Sequence, residues 1–154
     1  MAKRLCSIEI LIEGATTKVD LIDTYNFHLL ESPARVTAPI RDYETQAYPE
    51  SAAPEIDKRT VMQPFDYQIS LGCWGDEDEV NSNIRTFFNS LFTKEGDILT
   101  AKEITLYNNY KNVQMTGFAK KWDEKTYTIQ GEKGLLVFDF VLYVNNPASL
   151  KDIK

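Results

Sequence analysis

An enzyme must carry a nucleophile, a base or a bound metal, and this sequence offers few residues that could serve. His28 is the sole histidine and lies inside an extended apolar segment. A lone imidazole there ordinarily packs or meets solvent, so a structural role is expected. Cys6 and Cys73 match no CxxC or zinc spacing and read as buried free thiols. No nucleophile elbow or histidine metal motif accompanies them. Asp76, Glu77, Asp78 and Glu79 lack the alternating oxygen ligands and the later bidentate Glu of an EF-hand. They read instead as a helix start, with Asp76 and Glu79 placed as in a capping box. Gly131 and Gly134 form neither GxGxxG nor GxxxxGK[ST], and a hairpin turn is the plain account. No catalytic residue, metal or cofactor is expected.

Eight Tyr, eight Phe and two Trp could instead stack ligands or partners. Most, including Phe65, Tyr67, Phe138 and Phe140, fall in phase with a strand or helix and belong to a core. Tyr43, Tyr48 and Trp74 lie outside any regular pattern and are the aromatics expected to touch another chain.

The elements that must position these residues are mostly strands. Residues 5–12 alternate, with Cys6, Ile8, Ile10 and Ile12 on one side, and a turn at 13–16 leads to a second extended segment through Leu30. Together they predict an N-terminal hairpin or meander. Residues 32–57 carry Pro33, Pro39, Pro49 and Pro54 with no sustained period, which argues against a central strand. A connection this long reads as a loop or an arm that contacts a partner. Strand character returns over 59–71, where Phe65, Tyr67, Ile69 and Leu71 alternate with polar residues. A helix is predicted over 76–92 from the spacing of Val80, Ile84, Phe87, Phe88 and Leu91, with its end near Lys94-Glu95-Gly96.

Further strands are expected at 103–107, 112–122 and 127–130, with turns at 123–125 and 131–134. The strongest strand covers 135–144. Leu136, Phe138, Phe140, Leu142 and Val144 share one face, and Val137, Asp139, Val141 and Tyr143 the other. A strand apolar on both faces is interior to the domain or covered by another copy of the chain. The order of elements predicts a single domain over 1–154, mainly β with one helix: a β-sandwich or split barrel with a flanking α-helix and a long arm at 32–57.

Bulk properties are those of an ordinary globular domain, with 43% hydrophobic and 26% charged residues. A net charge of −6 does not suit a surface built to grip phosphates. No run reaches the length of a membrane helix, and the N-terminus does not read as a signal peptide, so synthesis in the cytoplasm is expected.

The same order resembles phage tail-tube, distal-tail and related injection-tube proteins. The resemblance rests on Ser7-Ile8-Glu9-Ile10, the arm 32–57, and Arg59-Thr60-Val61 leading through Phe65-Asp66-Tyr67-Gln68-Ile69-Ser70-Leu71 into a helix. It continues in Glu103-Ile104-Thr105-Leu106-Tyr107-Asn108, Gly117-Phe118-Ala119 and Val137-Phe138-Asp139-Phe140. It implies a structural, ring-forming component of a virion tail, made in a bacterial host, that works by assembly and not turnover. The implied partners are further copies of the chain, in a hexameric ring, and other tail or baseplate proteins. Contact residues would be Arg41, Tyr43, Tyr48 and Glu50 on the arm, with Trp74, Val137, Val141 and Tyr143. No specific nucleic-acid binding is implied, although DNA would pass through an acidic lumen. The chain ends soon after the expected last strand, which fits a minimal distal-tail or tube-like member. The competing reading is a small-ligand-binding β-barrel whose inward aromatics line a cavity.

Overall fold

Residues 7–41, 45–46, 55–56 and 59–153 are described by a computed structural model, with backbone alone at 45–46, 55–56 and 130. Strand β1 (Ile8–Ile12) points Ile8 and Ile10 inward and pairs with the short β2 (Val19–Asp20), giving the expected N-terminal hairpin. The extended pattern expected next is interrupted. Asp20 caps a single helical turn, α1 (Leu21–Tyr25), by accepting from the amides of Ile22 and Asp23. Asn26 then ends the turn in the left-handed region at φ 59°, and β3 (Phe27–Glu31) follows.

The Pro-rich segment folds back on itself as a two-stranded ladder that begins near Pro39. Ile40 bridges Met62, Arg41 N donates to Val61 O, and Gln63 N donates to Pro39 O. Farther out β4 (Thr45–Gln46) pairs antiparallel with β5 (Glu55–Ile56). Among the described residues this pair joins no other strand, in keeping with the proline content of the segment. The chain then enters β6 (Phe65–Asp76) and α2 (Glu77–Leu91).

Boundaries differ from expectation: the strand expected over 59–71 runs instead over Phe65–Asp76. Asp76 is the N-cap of α2 but makes no side-chain cap bond, because Lys133 Nζ holds its carboxylate at 2.9 Å. The helix stops at Leu91, and Lys94-Glu95-Gly96 forms the turn side of a hairpin, β7 (Phe92–Glu95) with β8 (Ile98–Ala101). Gly96 at φ 61° serves that turn and not a helix cap.

Strand β9 (Glu103–Asn108) turns into β10 (Val113–Gln130), which turns at Gly131 into β11 (Lys133–Val144). The turn expected at 123–125 lies inside β10, and a register shift between Glu124 and Thr126 replaces it. A 3-10 turn at Pro147–Ser149 precedes β12 (Lys151–Asp152), which pairs with the start of β10.

The main sheet runs β2-β1-β9-β10-β11-β6-β3, so β2 and β3 are its two ends. Laid flat, seven strands would separate those ends by roughly 30 Å. The chain joins them with the five residues of α1, a rise of roughly 8 Å. The sheet therefore curls into an open, split barrel, one of the two forms expected from the sequence. Its concave face collects Ile8, Ile10, Ile104, Leu106, Met115, Tyr67, Ile69, Leu71 and the even-numbered side chains of β11. Helix α2 lays Val80, Ile84, Phe87 and Leu91 onto that face. There Phe27 meets Phe87 at 5.2 Å and Phe138 at 5.1 Å, and Trp122 stacks on Phe138 at 4.6 Å.

One polar bridge crosses the interior. Buried Asn108 donates from Nδ2 to Tyr67 Oη at 2.9 Å and to Ser32 Oγ, while its Oδ1 accepts from the amides of Tyr110 and Lys111. Asn108 thus ends β9 and ties it to β6 and to the root of the arm.

Where β10 crosses the end of β11, Gly117 lies against the backbone of Tyr143, and a Cβ there would meet the Tyr143 carbonyl far inside contact distance. Gly117→Ala is expected to destabilise the fold by about 3 kcal/mol or more, read as a lowered denaturation midpoint in guanidinium with an unchanged slope.

Candidate functional site

Strand β11 carries its second apolar row on the convex face of the sheet. In register, Leu135 faces Trp74, Val137 faces Gly72, Asp139 faces Ser70, Val141 faces Gln68 and Tyr143 faces Asp66. Paired residues of an antiparallel ladder share a face. Four of the residues expected to make contacts, Trp74, Val137, Val141 and Tyr143, are therefore brought onto one surface.

At one end of this surface Trp74 remains 46% exposed while its ring stacks on His28 at 3.9 Å. His28 Nε2 also lies 2.8 Å from Asn26 Oδ1, and Asn26 Nδ2 donates to Trp74 O. The imidazole thus packs the indole in place. Gly72 leaves room beside it for Leu30, whose Cδ1 would sit 3.1 Å from any Cβ there. Leu30, Trp74 and Leu135 are exposed and Val137 is half-buried, so the end of the sheet presents a continuous apolar patch. Trp74, Thr128, Lys133, Gly134 and Leu135 line a shallow depression in it. Beside the patch begins α2, with Glu77, Asp78 and Glu79 in its first turn.

The middle of the surface is polar and closed. Asp139 is only 5% exposed and accepts from Ser70 Oγ at 2.6 Å, Gln68 Nε2 at 3.1 Å and Lys125 Nζ at 2.7 Å. Burial pushes its carboxyl up, but the hydrogen bonds and the Lys125 charge outweigh this and hold it below the usual carboxylate value. Val141, next along, is buried, and Tyr143 is half-buried beneath Lys120, which is paired with Asp66 at 3.0 Å.

The arm supplies a second apolar surface. Val36, Ile40, Val61 and Met62 are each about half exposed around the ladder at its base, and Arg41 is exposed beside them. Arg35 spans back over the Phe65 ring at 5.2 Å. Tyr43, Tyr48 and Glu50 lie outside the described residues. A third projection, the β7–β8 hairpin, exposes Ile98 and Leu99. The roles of Leu30, Leu135, Ile40 and Met62 were not read from the sequence. The available signal was apolar residues scattered through a Pro-rich stretch and a strand apolar on both faces.

Among the described residues, no group of three or more His, Cys, Asp and Glu side chains could hold a metal. Cys73 is a free, buried thiol whose Sγ contacts Tyr25 O at 3.5 Å, while Cys6 lies outside the described residues. Burial pushes the Cys73 thiol up to about 11. The barrel interior is occupied by Tyr67, Phe27, Phe87, Phe138 and Phe140.

These features define a mainly β protein: an open, curled antiparallel sheet with one main helix on its concave face and exposed apolar side chains on its convex face and arm base. A solved structure with this fold is the Dit protein (gp 19.1) of SPP1, described as a paradigm of the hub adsorption apparatus in phages that infect Gram-positive bacteria. The match covers 91% of this chain and 50% of that one, with a TM-score of 0.50 and 16% sequence identity. This chain therefore spans about half the length of its structural neighbour, and the likeness is one of fold. No family model and no curated protein sequence matches the chain.

Two outcomes follow from the buried groups. Asp139→Asn should cost about 1 kcal/mol at neutral pH, since its main cationic partner is half exposed. A depressed carboxyl stabilises the fold above its unfolded value and ceases to do so as pH falls through its folded value. The difference in melting temperature between wild type and variant should therefore shrink below about pH 3.9. In a Cys6→Ser background, Cys73 should resist alkylation by iodoacetamide at pH 8 until the protein is unfolded, as followed by mass spectrometry.

Proposed function

We propose that this chain is a structural component of a phage or prophage tail, of the distal-tail or tail-tube kind. It acts by assembling into a ring and by contacting adjacent tail proteins, without catalysis. The observation that carries the reading is the shared fold with SPP1 Dit over 91% of the chain. The surface supports it: an arm base and a sheet end both expose apolar side chains that a single copy leaves uncovered. In a ring of six copies the arm would reach a neighbouring subunit or an adjoining ring, and the excess of acidic residues would discourage DNA from adhering during passage. The location would be the virion tail.

The competing ligand-binding reading needs a hollow barrel, and the described interior is filled by aromatic side chains.

The test is sedimentation velocity over a range of concentrations, joined to negative-stain imaging. Concentration-dependent growth to a closed ring is expected. Replacing residues 34–62 with a short Gly-Ser linker should abolish the ring while the core keeps its far-UV circular dichroism. A protein that stays monomeric at the highest attainable concentration would overturn the proposal.

A further inference from the structure

Strand β10 outruns its neighbour. Its ladder with β9 stops where Phe118 faces Glu103, whereas its ladder with β11 continues to Gln130. On the β9 side the edge from 119 to 130 therefore pairs with no strand among the described residues. That leaves a row of backbone donors and acceptors roughly 40 Å long. Every residue of 123–129 is exposed. An extended strand laid alongside matches such a row group for group.

The two halves of this edge differ. The first carries Lys120, Lys121 and Lys125, and its register shifts lie between Ala119 and Lys121 and between Glu124 and Thr126. Lysines and bulges are the devices that keep an edge strand from pairing. The second half, Thr126-Tyr127-Thr128-Ile129-Gln130, has no charge, no proline and no register shift, and it is rich in β-branched and aromatic residues. Ile129 is 63% exposed, and Tyr127 lies across Gly134 on the same face. One edge is thus guarded over its first half and left open over its second.

An uncharged segment meets no like-charge repulsion from its own copy. In an antiparallel pair with a two-fold axis at Thr128, that residue faces its own counterpart, and Tyr127 faces Ile129 of the second copy in both directions. Thr–Thr and aromatic–β-branched neighbours stabilise paired strands. The turn at Gly131 ends the ladder, so by symmetry it stops at Thr126 and leaves Glu124 and Lys125 outside.

We propose that residues 126–130 of β10 are a strand-pairing site whose occupant is the same segment of a second copy, antiparallel about Thr128, so that two sheets become one. Such a contact is isologous. It goes beyond the tail-component reading and does not rest on it, because a two-fold pair joins two copies whether or not either sits in a ring.

Cysteine substitutions in a Cys6→Ser background test the register, with Cys73 buried. Residues directly opposite in an antiparallel pair have Cα atoms about 5 Å apart, within disulfide reach, whereas an offset of two residues puts them about 8 Å apart, beyond it. Under mild oxidation Thr128→Cys should link to itself, giving about ten-fold more covalent dimer than Lys121→Cys on the guarded half. Tyr127→Cys and Ile129→Cys should each stay unlinked alone, and their mixture should link, as read by intact mass. In wild type, amide hydrogen exchange over 126–130 should slow as concentration rises, a readout that needs no substitution.

Equal linking of Thr128→Cys and Lys121→Cys would reduce the contact to random collision and overturn the inference. So would self-linking of Tyr127→Cys or Ile129→Cys as readily as their mixture, which would mean another register. Exchange over 126–130 that is independent of concentration would also overturn it, leaving the edge to a strand of a different protein. None of these outcomes bears on ring formation, which sedimentation reads separately.

Discussion

The short link between β2 and β3 constrains everything else in this molecule. These strands are the two ends of the main sheet, yet only the single turn α1 and Asn26 separate them in the chain. A sheet whose ends are tied this closely cannot lie flat. Its curl creates a concave face deep enough to hold α2, and the aromatic cluster of Phe27, Phe87, Trp122 and Phe138 fills the space between. The link is itself well anchored. Tyr25 O accepts from Asn83 Nδ2 on α2, and Asn26 Nδ2 donates to Trp74 O on β6. The polar groups at the end of α1 are therefore satisfied by the two elements it must hold together.

The same curl determines what is left outside. With one face of the sheet turned inward around the helix, the second row of β11 must lie on the convex surface. Part of it is made self-sufficient: Asp139 is enclosed by Ser70, Gln68 and Lys125, and Val141 is buried beside it. The end around Leu30, Trp74 and Leu135 is not covered. His28, the sole histidine of the sequence, stacks on the Trp74 ring. The stack fixes the orientation of an indole that stays about half exposed.

The arm repeats the theme in a different form. Prolines keep it out of the sheet, but backbone hydrogen bonds between 39–41 and 61–63 still give it a defined base. At that base Val36, Ile40, Val61 and Met62 stay about half exposed. Isolated two-stranded ladders are marginal in water unless a further surface covers them. That constraint, and not any single side chain, is the physical reason to look for assembly here.

Local pattern alone was enough to establish the composition of the fold. Alternation in β1, β6 and β11, the helical spacing of Val80, Ile84, Phe87 and Leu91, and the turn glycine Gly131 could all be read because each depends on near neighbours in the chain. Mainly β architecture with one principal helix followed from them, as did the two-faced character of residues 135–144. Trp74 could be singled out as an aromatic outside the core pattern. Other features depended on residues distant in sequence. Asp76 gave up its cap bond to Lys133, the helix ended early because β7 found β8, and the turn expected at 123–125 was drawn into β10 by pairing with β11. The patch that unites Leu30, Trp74 and Leu135 exists only because three strands, far apart in the chain, lie side by side. Sequence determines which side chains are apolar and at what period they recur. Which of them remain exposed is decided by tertiary pairing, because burial depends on what the rest of the chain brings alongside.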